Sequence, residues 1–296
     1  MAMTEMNIIE PYVDASPMLA DPPALRRQAA EQGFLYLRGI VPIEPLMALR
    51  RELLELADAH GFVKAGTDLM DGIAALDPRF TENMKPYRPF YEDVLRCRSF
   101  HALAHEPALI GLFEALFDGP VAPHSRNIAR LIFPDMAKYT TPPHQDFVHI
   151  RGTENTWTTW IPVGDMPDEL GGLAIAEGTH KLGFLPTHAA YGAGGAGVAV
   201  PDDTIWRWSP LAAGDLLTFH SFTAHQGRDN RTSDRLRLSL DYRYQPRHEP
   251  IHPGSMKPHM GYFDWPDIYS HWPAGADPLQ YYWQDWPLNW QDYKHE

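Results

Sequence analysis

The sequence predicts a mainly β protein of the sandwich or barrel class that begins with helices, and three observations lead to this prediction. After residue 124, short apolar runs are separated by Gly, Pro and Asp turns, which is typical of a sandwich or barrel. The preceding third of the chain repeats its apolar residues at helical spacing instead. A content of 44% hydrophobic and 12% aromatic residues is sufficient for a buried core.

Three helices and one strand are predicted before residue 124. The longest helix ends at Gly61, and two shorter helices cover residues 23–32 and 107–117. The run FLYLRGIV lies between the helix over residues 23–32 and the longest helix. It is too short and too rich in β-forming residues for a helix, so it is predicted to be a strand. The longest helix is indicated by the helical repeat of Leu46, Leu49, Leu53 and Leu56.

Six strands are predicted after residue 124. They are NIARLIF, residues 144–150, TWTTWIPV, GLAIAEG, DLLTFHSF and RLRLSLDYRY. The last run alternates without interruption, and because successive side chains of a strand point to opposite faces, it has one polar and one apolar face. The polar face carries Arg235, Arg237, Ser239, Asp241 and Arg243, and the apolar face carries Leu236, Leu238, Leu240, Tyr242 and Tyr244.

The chain is interpreted as one domain over residues 1–296, with a helical part (1–123), a β core (124–247) and an aromatic extension (248–296). The extension is too aromatic and too rich in proline for a solvated linker. We expect it to pack on the core or against a neighbouring subunit, which leaves a homo-oligomer open. It contains five of the nine tryptophans, namely Trp265, Trp272, Trp283, Trp286 and Trp290.

Charge and cysteine content narrow the class of partner and the compartment. A formal net charge of −13 argues against nucleic acid and anionic membranes as partners. The sequence has no apolar run long enough to cross a membrane, and its first residues lack the pattern of a secretion signal. Cys97 is the single cysteine, which excludes an intrachain disulfide and predicts a reducing, cytoplasmic location.

The triplet His144-Gln145-Asp146 is a candidate metal site. On a strand, residues two apart point to the same side, so the imidazole and the carboxylate can bind one ion. His225, which follows the strand DLLTFHSF, is the candidate third ligand. Two histidines and one carboxylate leave open positions on iron(II) for a co-substrate and O₂, although these donors also accept zinc or manganese. The alternative is that both histidines are ordinary surface or hydrogen-bonded residues.

Four segments of the chain resemble the phytanoyl-CoA dioxygenase family of iron(II)- and 2-oxoglutarate-dependent oxygenases, in order from residue 26 to about residue 244. RRQAAEQGFLYLRGIVPIEPLMALRREL is similar to the family's opening helix, strand and helix, and PPHQD to its first metal-binding segment. GGLAIAEGTHKLG and GDLLTFHSFTAHQGRDNRTSDRLRLSLDYRY resemble its later turn and closing strands. The resemblance implies a double-stranded β-helix, a jelly-roll or cupin-like fold, with iron(II) as cofactor and 2-oxoglutarate and O₂ as co-substrates.

The resemblance also implies roles for single residues. Its register makes His225, and not His220, the second histidine ligand, and Arg237 the residue that anchors 2-oxoglutarate. A guanidinium binds a carboxylate through two charge-assisted hydrogen bonds, which lysine cannot reproduce. The family's usual spacing is one residue shorter, which an extra residue between Asn230 and Arg237 would explain. Arg235, predicted on the same strand face, is the alternative. Gly227 stands where some relatives have a serine that also contacts the co-substrate.

Asp146 bears on the type of reaction. Related halogenases have a small residue at this position, which leaves room for chloride, so the carboxylate favours hydroxylation or a related oxidation. Desaturation, epoxidation and rearrangement stay open. Two other hypotheses are a cupin-like metal-dependent hydrolase or isomerase, in which Arg237 is structural, and a non-catalytic protein of the same fold that binds small molecules.

Four further residues are candidates for contact with a small organic substrate: Phe147, His149, Trp157 and Arg228. The aromatic residues are equally consistent with a place in the core, and Arg228 with a surface ion pair. The glycine-rich segment 192–197 is predicted to be either a mobile lid or a plain surface connection. The acidic net charge makes a coenzyme A ester a less attractive substrate.

Overall fold

In the computed structural model, which describes residues 8–76, 79–81 and 84–291, helices precede a β core. The first seven residues, on which the secretion-signal prediction partly depends, lie outside the described residues. The α-helices are α1 (Pro22–Gln32), α2 (Ile43–Ala59), α3 (Tyr87–Arg96), α4 (Arg98–Ala102), α5 (Pro107–Phe117), α6 (Phe147–Ile150) and α7 (Trp265–Tyr269). The strands are β1 (Ile8–Glu10), β2 (Phe34–Leu37), β3 (Val121–Pro123), β4 (Ile128–Ile132), β5 (Trp157–Pro162), β6 (Gly172–Ala176), β7 (Thr187–Ala189), β8 (Ala196–Val198), β9 (Ile205–Arg207), β10 (Leu216–His220), β11 (His225–Arg228), β12 (Arg237–Pro246), β13 (Pro250–Ile251) and β14 (Asn289–Trp290).

The three predicted helices are confirmed as α1, α2 and α5, with ends that differ from the prediction by no more than a few residues. Helix α1 begins where the Asp21 side chain accepts a hydrogen bond from the Ala24 backbone N–H at 3.1 Å. It ends at Gly33, whose φ of 77° is in the left-handed region. A side chain at position 33 would also collide with the His180 ring, so glycine is required there.

Two sheets form the β core. The main sheet has the strand order β2-β10-β5-β12-β3, and β4 also pairs with β12. The minor sheet has the order β1-β9-β6-β11. Phe219 and Trp160 of the main sheet pack with Ile175 of the minor sheet in one buried cluster, so the two sheets enclose an interior. This arrangement is the predicted double-stranded β-helix with N-terminal helical elements.

Strand β12 has the two faces that its alternation predicts. Leu238, Leu240, Tyr242 and Tyr244 belong to the main hydrophobic core, on the side covered by the helices. Tyr244 stacks on Phe113 of α5 with ring centroids 4.1 Å apart. The polar face is also buried, because it points into the interior between the sheets and lines the cavities found there. The polar residues of β12 therefore belong to a site and not to the solvent-exposed surface.

The aromatic extension packs on the helical side of the same core. Trp265, Trp272 and Trp283 are buried within the main hydrophobic cluster. The Trp272 indole N–H donates to the Arg96 carbonyl at the end of α3 at 3.0 Å. The tryptophans that suggested a subunit interface are thus largely covered by their own chain, although Trp290 remains 48% exposed.

The segment 144–150 differs from its predicted strand. His144 pairs with His225 in an isolated bridge, and the short helix α6 begins directly after Asp146. The change occurs because Asp146 adopts helical φ and ψ angles of −67° and −23°, and its carbonyl accepts hydrogen bonds from the backbone of His149 and Ile150. Phe147 and His149 consequently lie on a helical turn, and the strand prediction for them was wrong.

No helix within the described residues is long and apolar enough to cross a membrane.

His101 joins the helical part to the aromatic extension. Its Nε2–H donates to the Leu95 carbonyl at 2.9 Å, and its Nδ1 accepts from the Asn127 amide at 3.3 Å. The ring packs edge-on against Trp265. Burial lowers the pKa of His101 to about 4, because a charged ring would lose its hydration. The folded protein therefore holds this ring neutral.

We expect His101 to make the protein sensitive to acid. The unfolded chain takes up the proton near pH 6.5 and the folded chain only near pH 4, so stability present above pH 6.5 is lost as the pH falls between these values. The loss assigned to this residue at pH 4.5 is about 2 kcal/mol. Urea unfolding of His101→Gln at pH 7 and 4.5 measures it, with the exposed His188→Gln as control. Equal pH dependence in both variants would contradict the prediction.

Candidate metal centre

Backbone pairing brings the two histidines of the predicted site together. The His144 N–H donates to the His225 carbonyl at 3.0 Å, and the His225 N–H donates back to the His144 carbonyl at 3.0 Å. On its other side, β11 pairs with β6. The two imidazole rings therefore lie side by side, with centroids 4.1 Å apart. Residues 81 positions apart in the chain are held in register by the minor sheet.

The turn before His225 is fixed by helix α1. The Thr223 hydroxyl donates to the Gly33 carbonyl at 2.7 Å, and the His220 N–H donates to the same carbonyl at 3.0 Å. The Ala224 N–H donates to the Thr179 hydroxyl at 2.9 Å. The close approach that glycine permits at position 33 thus positions the chain that presents His225.

Asp146 turns one carboxylate oxygen toward the histidines. Its Oδ2 accepts hydrogen bonds from the Thr158 hydroxyl at 2.6 Å and from the Arg243 guanidinium at 3.2 Å. Its Oδ1 lies 3.5 Å from His144 Nε2 and 3.8 Å from His225 Nε2. Gln145 points away and is buried, where its amide donates to two backbone carbonyls.

Both histidines present the same ring nitrogen to this point. His144 Nδ1 lies 2.9 Å from the Pro142 carbonyl, and His225 Nδ1 lies 3.0 Å from the Thr223 carbonyl. A carbonyl can only accept a hydrogen bond, so each Nδ1 carries the proton and each Nε2 keeps its lone pair. Such carbonyl partners orient metal-binding histidines in proteins generally.

The electrostatics favour the protonation states that a cation needs. Burial acts to raise the pKa of Asp146, but Arg243 and the two histidines hold it well below its usual range. Burial and the neighbouring His144 lower the pKa of His225 to about 3. An ionised carboxylate and a neutral imidazole are the forms that bind metal. Among the described residues, these three side chains form the group whose donor atoms, all within 4.8 Å of one another, fit a metal ion.

An inner cavity of about 40 Å³ joins this triad to Arg237. Arg237 is buried, and its Nη1 donates to the Arg228 carbonyl at 2.6 Å. Its Nε has no hydrogen-bond partner, and no carboxylate within the described ranges forms an ion pair with it. Burial and Arg130 lower its pKa to about 10, so the guanidinium remains charged at neutral pH. The cavity is thus lined both by metal-binding donors and by a cation.

Arg235 does not reach the inner cavity. It lies before β12 in a turn held by Asn230, whose amide donates to the Arg235 carbonyl at 2.7 Å. A bridge with Ile73 directs this part of the chain toward α2, where Arg235 lines a separate cavity with Arg50. The two arginines therefore do not share one strand face. The strand begins only at Arg237.

An outer cavity of about 200 Å³ lies on the other side of the triad. It shares Arg130, Thr141, His144 and Asp146 with the inner cavity. The predicted substrate residue His149 lines it. Ala193 and Gly194 of the glycine-rich segment also lie in its wall, which is where a lid would lie, although the lid itself stays a prediction. The remaining wall is formed by His124, Arg126, Ile128, Ile150, Arg243, Ser255, His259 and Met260.

The structure does not bring the other three candidate substrate residues to these cavities. Phe147 packs edge-on against Phe222, with centroids 4.9 Å apart. Trp157 is buried in the main hydrophobic core. The Arg228 guanidinium lies over the Trp208 ring and pairs with Asp168 at 3.0 Å. Arg228 contributes only its backbone carbonyl, through the hydrogen bond to Arg237.

Sequence reasoning missed the arginines of the outer cavity. Arg130 interrupts the apolar strand NIARLIF and donates to Asp241 at 3.0 Å. Arg243 lies on the polar face of β12 that the alternation identified, but its pairing with Asp146 was not foreseen. A charged residue within a strand that is otherwise apolar was the signal that could have found Arg130. Arg126 precedes the same strand as Arg130 and carried no such signal.

Gly227, where some relatives have a serine, faces a crowded part of the inner cavity. A Cβ at this position would lie 3.0 Å from Thr140 Cγ2. The Gly227 N–H donates to the Thr141 carbonyl at 3.0 Å, which places Thr141 in the wall of the inner cavity. Thr140 and Thr141 occupy the space that a serine side chain at position 227 would need.

The comparisons with known proteins agree with this geometry. A family model described as phytanoyl-CoA dioxygenase matches residues 29–238. The chain belongs to this family. The resemblance predicted from four segments is therefore confirmed, and with it the assignment to the iron(II)- and 2-oxoglutarate-dependent oxygenases.

Two curated relatives of this dioxygenase family member are 1-deoxypentalenic acid 11-beta-hydroxylases. The protein from Streptomyces arenae is 30% identical over 250 residues, which cover 79% of this chain and 85% of that protein. The protein from Streptomyces exfoliatus is 27% identical over 259 residues, which cover 81% of this chain and 87% of that protein. The match thus extends through both the helical part and the β core.

A solved structure shares the fold of this family member. The epimerase SnoN in complex with Fe³⁺, alpha-ketoglutarate and nogalamycin RO aligns with a TM-score of 0.57 at 20% sequence identity. The alignment covers 88% of this chain and 93% of that protein. At this level of identity the likeness concerns the fold, and it confirms the predicted double-stranded β-helix.

Proposed function

We propose that this oxygenase hydroxylates a C–H bond of a small organic molecule bound in the outer cavity. One oxygen atom of O₂ enters the substrate as a hydroxyl, and the other enters succinate, as 2-oxoglutarate is oxidised and releases CO₂. A bound iron(II) supplies the open positions and the redox chemistry that activate O₂. The two relatives named as hydroxylases and the carboxylate at Asp146 support hydroxylation as the reaction type.

The observation that carries this proposal is the inner cavity, which contains both the triad and the unpaired guanidinium of Arg237. A buried arginine without a carboxylate partner is costly unless a ligand supplies the anion. 2-Oxoglutarate has a carboxylate at one end for this guanidinium and a keto acid at the other end for the metal. The inner cavity is lined both by this guanidinium and by the metal-binding donors.

The residues of this chain then have separate tasks. His144, Asp146 and His225 would hold iron; Arg243 favours the ionised form of Asp146, and burial favours the uncharged form of His225. Thr158 and Arg243 bind Asp146 Oδ2 and so keep Oδ1 turned to the metal position. Arg237 binds the distal carboxylate of 2-oxoglutarate. All of these groups are buried or line the inner cavity, which limits their contact with bulk water.

A cupin-like hydrolase or isomerase is less well supported, since it gives Arg237 no ligand. A non-catalytic binding protein likewise leaves the protonation states of the triad without a purpose. Membership of the dioxygenase family favours the enzyme over both alternatives.

An anaerobic titration tests the proposal. Protein loaded with iron(II) should develop a weak visible charge-transfer band when 2-oxoglutarate is added. Protein loaded with zinc(II), which has no redox chemistry and a filled d shell, is the control and should show no band. On admission of O₂, succinate should form. Folded, iron-loaded protein without a band would exclude 2-oxoglutarate as the co-substrate.

We further propose that residues 1–296 form a single oxygenase domain and that the aromatic extension is an integral part of it. The burial of Trp265 and Trp283 in the main core supports this view. We also propose a cytoplasmic location, which the single, buried and unpaired Cys97 supports.

A further inference from the structure

The outer cavity has an excess of positive charge. Three arginines line it, and two of them have carboxylate partners within the protein. Arg130 pairs with Asp241 at 3.0 Å, and Arg243 pairs with Asp146 at 3.2 Å. Asp146 is the one carboxylate among the residues that line this cavity. The remaining arginine, Arg126, forms no ion pair with any of the described residues.

Arg126 is held in place but not neutralised. Its backbone N–H donates to the Ser255 carbonyl at 3.2 Å, which fixes the chain at the cavity wall. Its guanidinium forms no ion pair in the described part of the chain. One of its charged neighbours, Arg243, has the same sign of charge. Burial and Arg243 lower the pKa of Arg126, and the opposing effects of Tyr91 and Asp146 offset only part of this shift. Partly buried cations are normally paired, and this one requires an anion from outside the protein.

His259, in the wall of the outer cavity, does not supply the missing negative charge. Burial, followed by Arg130, Arg126 and Arg243, lowers the pKa of His259 well below its usual range. The three guanidinium groups thus all act on one ring, which shows that they converge on this part of the cavity. The Tyr91 hydroxyl lies 2.7 Å from His259 Nδ1 and fixes the ring. A neutral, oriented imidazole can donate a hydrogen bond to an anion, but it carries no negative charge and cannot itself neutralise the arginines.

Binding of the metal and co-substrate does not remove the excess. Iron(II) and the 2-oxoglutarate dianion would cancel each other in charge, and the co-substrate would bind Arg237 in the inner cavity. The charge of Arg126 in the outer cavity would still lack an ion-pair partner among the described residues. A substrate with one carboxylate neutralises part of this charge, and the planar guanidinium matches a carboxylate through two hydrogen bonds.

We propose that the substrate is a small carboxylic acid and that Arg126 binds its carboxylate in the outer cavity. This inference rests on the proposed function for the role of the cavity, although the binding itself needs neither iron nor O₂. Ile128, Ile150 and Met260 give the same cavity an apolar side. The acid group therefore lies at Arg126, and the apolar body of the molecule extends toward His144 and Asp146. Oxidation then occurs at a carbon remote from the carboxylate.

A binding experiment with paired probes tests the proposal on metal-free protein. The probes are benzoate, cyclohexanecarboxylate and octanoate, each compared with its uncharged amide by calorimetry. At least one acid should bind more tightly than its amide, and Arg126→Gln should weaken that acid by about 10- to 100-fold, the effect of losing charge-assisted hydrogen bonds. Arg126→Lys should retain part of the affinity, because lysine keeps the positive charge. It should not retain all of it, because lysine cannot make the paired hydrogen bonds of a guanidinium.

Arg237→Gln is the matched control, since it removes the same group from the inner cavity. Arg237→Gln should lower the affinity for 2-oxoglutarate and leave the affinity for the acid probe unchanged. Arg126→Gln should lower the affinity for the acid probe and leave the affinity for 2-oxoglutarate unchanged. If no acid binds more tightly than its amide, or if Arg126→Gln leaves the acid unaffected, the proposal is wrong. Tighter binding of octyl phosphate than of octanoate would overturn the choice of a carboxylate. Failure of the iron and 2-oxoglutarate band in wild type would overturn the proposed function but not this result.

Discussion

Asp146→Asn is expected to abolish iron-dependent succinate formation, with a loss of more than about 100-fold, and to leave the fold intact. The asparagine oxygen can take the position of Oδ2 and keep the hydrogen bonds from Thr158 and Arg243. Its NH₂ group then occupies the position of Oδ1, next to His144 Nε2, and an amide nitrogen is not a metal ligand. Iron titration and succinate assays measure the loss.

Asp58→Asn is the control for this substitution, because it makes the same chemical change at an exposed position on α2. Both variants should unfold with similar denaturant midpoints in the absence of metal. Added iron should stabilise wild type and Asp58→Asn but not Asp146→Asn, since only ligand binding to the folded state raises stability. Normal succinate formation by Asp146→Asn would show that the carboxylate does not hold the metal.

Arg237→Lys is expected to weaken 2-oxoglutarate by about 100-fold or more while iron still binds. Lysine keeps the charge but cannot form the bidentate contact, and the cost of disrupting a buried, hydrogen-bonded charge pair is several kcal/mol. The pKa of Arg237, about 10, ensures that the wild-type group is charged throughout the neutral range. Anaerobic titration of the charge-transfer band gives the affinity for 2-oxoglutarate directly.

Arg235→Lys provides the comparison for Arg237→Lys. Arg235 lines a separate cavity beside α2, so its replacement should leave the affinity for 2-oxoglutarate unchanged. A loss in Arg235→Lys without a loss in Arg237→Lys would reverse the assignment of the two arginines. Unchanged activity in Arg237→Lys with 2-oxoglutarate still consumed would assign a structural role to Arg237.

The interior of this fold explains why so many charged groups are buried together. A strand that faces the helices needs apolar side chains, and Leu240 and Tyr244 provide them. The opposite face of the same strand lines a cavity, where Arg237, Asp241 and Arg243 are buried only because ligands and partner side chains compensate their charges. The polar interior is therefore expected to be the least stable part of the molecule without its ligands.

The sequence by itself determined the elements whose signal is local. Gly33 marks the end of α1 and leucine spacing identifies α2, because helix formation and helix ends depend on neighbouring residues. The alternation of β12 likewise separates its two faces without reference to any other strand. The short His144-Gln145-Asp146 spacing was enough to identify a candidate site.

Only the tertiary structure decided how the site is assembled. The helical turn after Asp146 and the bridge between His144 and His225 depend on the minor sheet, whose pairing joins distant parts of the chain. Arg235 and Arg237 look equivalent in sequence, yet a bridge to Ile73 turns one of them away. Arg126 became a candidate only when its surroundings showed no ion pair to it within the described part of the chain. Contacts between distant residues follow from the packing of the whole chain, and no local pattern encodes them.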